Sequence, residues 1–473
     1  MRSITFKTRS GNNYLYSPNR KRTIPIPTSL LSEIMGNGKG VHSQLYTSLR
    51  ERGYMDEWHQ NLSGRITAEN VEQALNKLPQ VVFETTTACN LKCEYCCYGD
   101  GYATFENRKS GKLDFSTAKS VIDFICNRFS KESVTSICKQ PFAISFYGGE
   151  PLMNFHVIKD IVEYAESCYF KNRELRFTMT TNALLLAKYA DFLNRHKFRI
   201  LVSLDGNKVH DAYRKTVSGK ESFNIVFKNL KSIQNNYPDL FSNIRFNAVY
   251  TDKSDAGEIL DFFHSEFNKF PQFSILHDTD GEARDSEKIR KMYKPLSIPE
   301  PYRLNSNLLL ENPIHKHIIE LCIKSSEYCY YDEGELMEDS SLNVKYPSGT
   351  CVPFSKRLFV STDGKFLPCE KINRDVPLGN ASKNGVINID TEHIANRFNK
   401  MLAEQEKLCL KCYLQPFCTK CALQYSSSLC KNIITEKQLA KMLTEVYSYI
   451  EENPYIIDLL ERNIVIRVSS LCS

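Results

Sequence analysis

The chain has 473 residues, enough for two to four domains, one of them the size of an enzyme barrel. With 42% hydrophobic and 25% charged residues it has the composition of a globular protein, and it contains no apolar run of the roughly 18 residues that a membrane span requires. A net charge of +6 is small for this length and the basic residues are scattered among acids, so the charge balance points to neither a nucleic-acid nor a membrane partner.

Residues 1–78 read as a small α+β module. Short strands are predicted at Ile4 to Lys7, Tyr14 to Ser17 and Thr23 to Ile26, separated by turns at Gly11-Asn12-Asn13 and Pro18-Asn19-Arg20. Helical apolar spacing follows at Ser29 to Met35, Gln44 to Arg52 and Ala68 to Leu78. The polar, alternating start has no basic stretch leading into an apolar one, so no export signal is read and a cytoplasmic location is expected.

From residue 79 to about 300 strands alternate with amphipathic helices. The strand candidates are Val81 to Thr86, Ala143 to Tyr147, Leu175 to Thr180, Arg199 to Leu204, Ile244 to Tyr250 and Phe273 to His277. Helices are predicted at Phe115 to Phe129, His156 to Tyr169, Ala187 to Arg195 and Ser222 to Gln234. Six such units imply parallel strands with right-handed crossovers, as an open sheet or a partial (β/α)6 barrel, with ligands at the C-terminal strand ends. Residues 301–350 form a charged, proline-interrupted connector with a helix at Ile314 to Ser326; residues 351–435 are dense in cysteine, and residues 436–473 begin with a helix.

Seventeen cysteines without an export signal argue for metal or redox chemistry over disulfides. Directly after the first predicted strand stand Cys89, Cys93 and Cys96, spaced by three and two residues on one loop. Three thiols without an obvious fourth leave a coordination position open on a cluster, whereas structural zinc sites are closed by four ligands. Cys97 adjoins the set, but neighbouring cysteines rarely point at one metal. Spacing alone leaves zinc and coincidence open. After the second strand, Gly148-Gly149-Glu150-Pro151 combines two residues that permit close backbone approach with a carboxylate.

Together these two segments resemble the radical S-adenosylmethionine (SAM) superfamily. The resemblance implies a [4Fe-4S] cluster on Cys89, Cys93 and Cys96 with SAM on its open iron, and SAM contacts from Gly148, Gly149, Glu150 and Pro151. It places further polar contacts at Thr181 and Asn182, at Ser203 and Asp205, and at Arg214, which can equally be an exposed helix arginine. The implied reaction is reductive cleavage of SAM to a 5'-deoxyadenosyl radical, with electrons from an external donor such as flavodoxin or ferredoxin.

A second cysteine group comprises Cys351 and Cys369, then Cys409, Cys412, Cys418, Cys421 and Cys430. Paired CxxC units also suit zinc ribbons. The pattern resembles the SPASM domain, a C-terminal iron-sulfur domain of peptide- and protein-modifying radical SAM enzymes that binds two auxiliary clusters. By that resemblance Cys409, Cys412, Cys418 and Cys430 hold one cluster and Cys351, Cys369 and Cys421 the other, whose missing ligand is Cys322, Cys329 or an open iron position. Cys126, Cys138, Cys168 and Cys472 carry no spacing signal.

The layout implies a maturase that forms a thioether, C–C or C–O crosslink in a ribosomally made precursor peptide. The N-terminal module is similar in order to the winged-helix-like leader-recognition domains of such enzymes, which bind peptide by strand addition; a structural cap is the alternative. Arg20, Lys21 and Arg22 beside the third strand suit an acidic leader or a solvated turn. The competing readings are an anaerobic sulfatase (formylglycine) maturase and a non-enzymatic zinc or iron-sulfur module.

Overall fold

The computed structural model describes residues 2–20, 22–36, 42–57, 62–99, 110–131, 141–171, 173–276, 286–294, 346–372, 374–382, 384–415, 418, 421–425, 430, 433–452 and 454. The chain divides into two compact units, one of residues 1–65, 300–350 and 399–473 and one of residues 66–299 and 351–398. The connector helix at Ile314 to Ser326, Lys21, Cys138, His277, Cys322, Cys329 and Cys472 lie outside the described residues. No helix among the described residues is long and apolar enough to cross a membrane.

The first unit holds strands β1 (Ile4–Lys7), β2 (Asn13–Ser17) and β3 (Arg22–Ile26) in an antiparallel sheet of order β1-β2-β3. Period-2 alternation splits its apolar residues between two faces. Leu15 and Ile26 pack with Leu30 of helix α1 (Thr28–Met35) and Leu49 of helix α2 (Gln44–Glu51). Ile4, Phe6 and Tyr16 pack with Leu439 and Leu443 of the helix Glu436–Glu452. That helix is tied to the β1–β2 turn by Arg9, whose guanidinium meets Glu445 and Glu452 at 2.8 Å each, and by the Tyr14 hydroxyl, which donates to Glu451 at 2.7 Å. The third predicted helix, α3 (Ala68–Asn76), groups with the second unit instead.

In the second unit six parallel strands run in sequence order: β4 (Gln80–Thr86), β5 (Phe142–Gly148), β6 (Leu175–Thr181), β7 (Arg199–Ser203), β8 (Ile244–Tyr250) and β9 (Pro271–Ile275). One set of alternating residues (Val81, Phe83, Ile144, Phe146, Ile200, Val202, Ile244, Phe246) is fully buried. Helices α4 (Phe115–Lys131), α5 (Phe155–Glu166), α6 (Ala190–Arg195), α7 (Phe223–Asn236), α8 (Pro238–Ser242), α9 (Ala256–Phe267) and α10 (Ser286–Met292) belong to the same unit. Ring contacts show helix packing on strand: Phe129 of α4 meets Phe142 edge-on at 5.3 Å, and Phe263 of α9 lies 4.8 Å from Phe246. The other alternating set is mixed: Gln80, Ser145, Thr178, Arg199, Arg245 and Gln272 are polar, Val82 and Leu201 are apolar, and all of them line open space.

The sheet does not stop at six strands. β10 (Leu358–Val360) adds in parallel to the outer edge of β4, and β11 (Lys365–Leu367), β12 (Gly379–Ala381) and β13 (Ile387–Asn388) continue antiparallel, giving ten strands ordered β13-β12-β11-β10-β4-β5-β6-β7-β8-β9. Buried Glu84 of β4 locks this extension: its carboxylate accepts the Arg374 guanidinium at 2.5 Å and the Thr362 N–H at 3.1 Å. Charges so buried are tolerated only when paired and hydrogen-bonded, as here. A nineteen-residue helix, Thr391–Cys409, follows.

Candidate active site

The loop after β4 carries the three thiols and is held on two sides. On one side Gly149 N–H donates to Thr86 O and Glu150 N–H to Ala88 O, both at 2.9 Å. On the other, Lys92 N–H reaches Lys215 O at 2.7 Å and Glu94 N–H reaches Tyr213 O at 3.0 Å, while Glu94 pairs with Lys215 and Lys288. The glycines are steric requirements. A Cβ on Gly148 would stand 2.3 Å from Thr86 O, at a φ of +153° that disfavours side chains, and one on Gly149 would stand 2.2 Å from Ala88 O.

Cys89, Cys93 and Cys96 open on one cavity of about 290 Å³ at the C-terminal ends of the parallel strands, also lined by Gly148, Gly149, Thr181, Asn182, Ser203 and Arg214. Cys97, Tyr98, Tyr147, Asn247, Ser274 and Lys371 complete much of its wall. Asn247 and Ser274, bonded to each other at 2.7 Å, occupy inner-face positions that strand alternation makes readable; Lys371 comes from the 351–398 segment and has no such signal.

Glu150 and Asp205 are fully buried and Pro151 is buried, and none of the three lines the cavity. Glu150 spends its carboxylate on Leu152 N–H at 3.1 Å, the Thr181 hydroxyl at 2.7 Å and Asn182 N–H at 2.8 Å, which fastens the end of β5 to the end of β6. Burial pushes its pKa up to about 6 against these three donors. Asp205 accepts from the Tyr95 hydroxyl and, at 2.9 Å, from Val249 N–H. Tyr95, between Cys93 and Cys96 in the loop, also accepts from Arg214 Nη1 at 3.0 Å.

Arg214 is thus no exposed helix arginine: it is 6% exposed, with Asp211 3.6 Å from its Nε. Burial acts to lower its pKa, but Tyr95, Cys93, Asp205 and Asp211 more than offset that and the guanidinium stays charged. Burial raises both aspartates, opposed by Arg214.

The donor set suits an iron-sulfur cluster. Burial raises the Cys89 thiol and pushes Cys93 up to about 12, the second opposed by Arg214, so both thiols are protonated without metal and lose their protons to it. N–H groups are already aimed at sulfur: Leu91 N–H at 3.4 Å and Asn182 Nδ2 at 3.7 Å from Cys89 Sγ. Among the described residues no three His, Cys, Asp or Glu side chains are grouped to hold a single metal ion.

In the other unit Cys409, Cys412, Cys418 and Cys430 line a second, apolar-walled cavity with Leu408, Leu414, Ala422 and Ile433. Burial raises Cys409 to about 11, opposed by a hydrogen bond from Ser348 N–H and reinforced by the other three thiols. Ile434 N–H lies 3.4 Å from Cys412 Sγ. Four thiols around one apolar cavity suit a cluster with four protein ligands, which would take their protons on binding. Cys351 and Cys369 belong to the barrel unit and Cys421 to this one.

The Radical SAM superfamily model matches residues 83–262, and the SPASM model, an iron-sulfur cluster-binding domain, matches residues 351–413. An uncharacterized protein of Methanocaldococcus jannaschii is 28% identical over 265 residues, 55% of this chain and 81% of that protein. A cysteine-type anaerobic sulfatase-maturating enzyme of Clostridium novyi is 22% identical over 353 residues, 73% of this chain and 87% of its own. The radical SAM cyclopropyl synthase TigE of Paramaledivibacter caminithermalis is 26% identical over 194 residues, 39% of this chain and 37% of that one. The solved structure of native anSMEcpe with bound AdoMet and Kp18Cys peptide has the same fold, with a TM-score of 0.52 at 20% identity over 81% of this chain and 99% of that one.

Proposed function

Because the chain belongs to the radical SAM superfamily and carries a SPASM iron-sulfur domain, we propose that it is a maturase that forms a crosslink within a ribosomally made precursor peptide. It is an enzyme that uses a [4Fe-4S] cluster with SAM, alongside auxiliary iron-sulfur clusters. When bound, cluster and SAM supply a carbon radical able to take hydrogen from an unactivated C–H bond. The observation that carries the site assignment is the opening of Cys89, Cys93 and Cys96 on one cavity beside Gly148 and Gly149 at the strand ends.

In this reading those three thiolates would hold the cluster, and Gly148 and Gly149, packed on the Thr86 and Ala88 carbonyls, would bring the end of β5 against the cysteine loop beside SAM. Thr181, Asn182 and Ser203 would offer SAM polar contacts, and Arg214 would supply a fixed positive charge suited to its carboxylate. Glu150 and Asp205 act one step removed, holding Asn182 and Tyr95 in place. Leu91, Val249 and Leu276 give the cavity an apolar wall that limits water near a reactive carbon. Cys409, Cys412, Cys418 and Cys430 hold one auxiliary cluster.

A peptide substrate is supported by relatives named for modifying sulfatases and by the peptide bound in anSMEcpe. The outer edge of β3, where Pro25 fits an edge strand, is the candidate place for a leader to add. The test is anaerobic co-expression with short open reading frames neighbouring the gene. Each crosslink removes two hydrogens, a loss of about two mass units that the triple Cys89, Cys93, Cys96 alanine variant does not produce. Loss of precursor affinity on deleting residues 1–57 tests leader recognition separately.

A second reading, sulfatase maturation, is favoured by the length over which the Clostridium novyi enzyme aligns. Conversion of a cysteine-containing sulfatase peptide to formylglycine, without any crosslinked neighbour peptide, selects it.

A further inference from the structure

The cysteines of the four-thiol cavity are presented by a regular backbone. Cys412 N–H donates to Cys409 O, Gln415 N–H to Cys412 O and Cys418 N–H to Gln415 O, each at 3.1 Å. Positions 409, 412, 415 and 418 thus follow one another at three-residue steps, and all four line the cavity. Three of them carry a thiol. The remaining one carries glutamine, a primary amide with two N–H donors and a carbonyl acceptor.

Gln415 is 6% exposed, and its Oε1 is shut off from solvent with no hydrogen-bond partner among the described residues. A buried polar group left in that state costs about 1–3 kcal/mol. The side chains of Leu408, Leu414, Ala422 and Ile433 around the cavity are apolar and offer it none. Gln405 is the second amide on the cavity wall. It lies on the helix Thr391–Cys409, one turn before Cys409, and is 4% exposed. Its Oε1 accepts from Cys430 N–H at 3.3 Å, which fixes the orientation of the amide and leaves Nε2 to donate.

We infer that Gln405 and Gln415 are side-chain hydrogen-bond donors to the auxiliary cluster of Cys409, Cys412, Cys418 and Cys430, and that they set its reduction potential. The inference rests on that ligand set, proposed above. The sulfurs of such a cluster, thiolate and sulfide alike, only accept hydrogen bonds, so they match what the two amides can offer. At Gln415 a half-turn about the Cγ–Cδ bond presents Nε2 where the orphaned Oε1 stands. Reduction adds negative charge to the sulfurs and strengthens every N–H bond to them, so the donors raise the potential. Backbone groups already serve two of the ligands, Ser348 N–H at Cys409 and Ile434 N–H at Cys412. In a shell whose apolar wall resists added charge, the two amides ease the uptake of an electron.

The experiment is a reductive titration of the anaerobically reconstituted C89A/C93A/C96A protein followed by electron paramagnetic resonance, in which the barrel cluster gives no signal. The signal of the four-thiol cluster is identified by its absence from C409A/C412A/C418A/C430A. Gln415→Leu and Gln405→Leu nearly preserve volume and remove the donors. Each is expected to retain its iron and to shift the equilibrium about tenfold against the reduced form, a fall of about 59 mV for one electron, and the double variant by more. Electron-nuclear double resonance after exchange into heavy water is expected to show deuterons coupled to the cluster, with fewer in either variant. The assignment is overturned if both variants keep the parent's potential and couplings, or if the potential moves with the couplings unchanged, as altered packing alone would do. Loss of iron on Gln415→Leu overturns it too, by making Gln415 a ligand. A quadruple alanine variant that keeps its iron and every signal overturns the ligand set and the inference with it, whereas unchanged couplings with that set intact overturn the inference alone.

Discussion

The two thiol-lined cavities differ in ligand count, in wall chemistry and in room. The barrel cavity has three close thiols, a glycine pair pressed against the neighbouring backbone and a wall that mixes hydroxyl, amide and guanidinium groups with Leu91, Val249 and Leu276. The cavity of the other unit has four thiols, is much smaller and is walled by Leu408, Leu414, Ala422 and Ile433. A cluster with four protein ligands in an apolar shell is closed to substrates and suited to storing or passing an electron; one with three beside a larger cavity can be approached.

The sharpest way to break this comparison is to remove each set of thiols in turn. C89A/C93A/C96A and C409A/C412A/C418A/C430A are each expected to lose about four irons per chain, but only the first abolishes 5'-deoxyadenosine formation, by more than about a thousandfold. Equal loss of SAM cleavage in both would erase the distinction. Next comes the glycine pair: Gly149→Ala sets a methyl 2.2 Å from the Ala88 carbonyl and is expected to cost about 1–3 kcal/mol in chemical denaturation and to weaken SAM binding in equilibrium dialysis.

Glu150 sharpens the barrel side further. Its folded pKa of about 6 lies above the ordinary carboxylate value, so its stabilising effect is full below about pH 4.5 and is lost as pH rises through 6. Between pH 5 and 7.5 the natural protein should lose up to about 2 kcal/mol relative to Glu150→Gln, which does not titrate; a flat difference in denaturant midpoints would mean that the three donors already offset burial. The smallest effect belongs to the other unit, where Arg9→Ala removes two ion pairs whose carboxylates are 51% and 35% exposed. A loss within about 1 kcal/mol is expected there, and added salt should shrink it.

Much of the barrel site was legible as sequence because its parts are short and local. The cysteine spacing, the glycine pair and Thr181-Asn182 each sit at the end of a strand with period-2 or fully apolar patterning, and the structure brings them to one cavity. What was not legible depends on partners distant in the chain. Arg214 reads as a surface residue until Tyr95 and Asp211 are seen around it, and Glu150 reads as a ligand contact until three donors are found to saturate it. β10 spans three residues, too few for any periodicity to register, and its place is set by pairing with β4. Helix α9 was passed over although Asp255 caps its start and Asn268 ends it in a left-handed turn.

The pairing of β10 with β4 also has a meaning in time. During synthesis the strand that leads into the cysteine loop emerges long before the strand that covers its outer edge, since Val81 must wait for Leu358. Until then β4 presents a bare row of amide and carbonyl groups, and Glu84 lacks the arginine that later neutralises it. The nascent barrel is therefore exposed to strand-to-strand aggregation for most of its translation, and chains that end before Arg374 should be insoluble even with every barrel residue present.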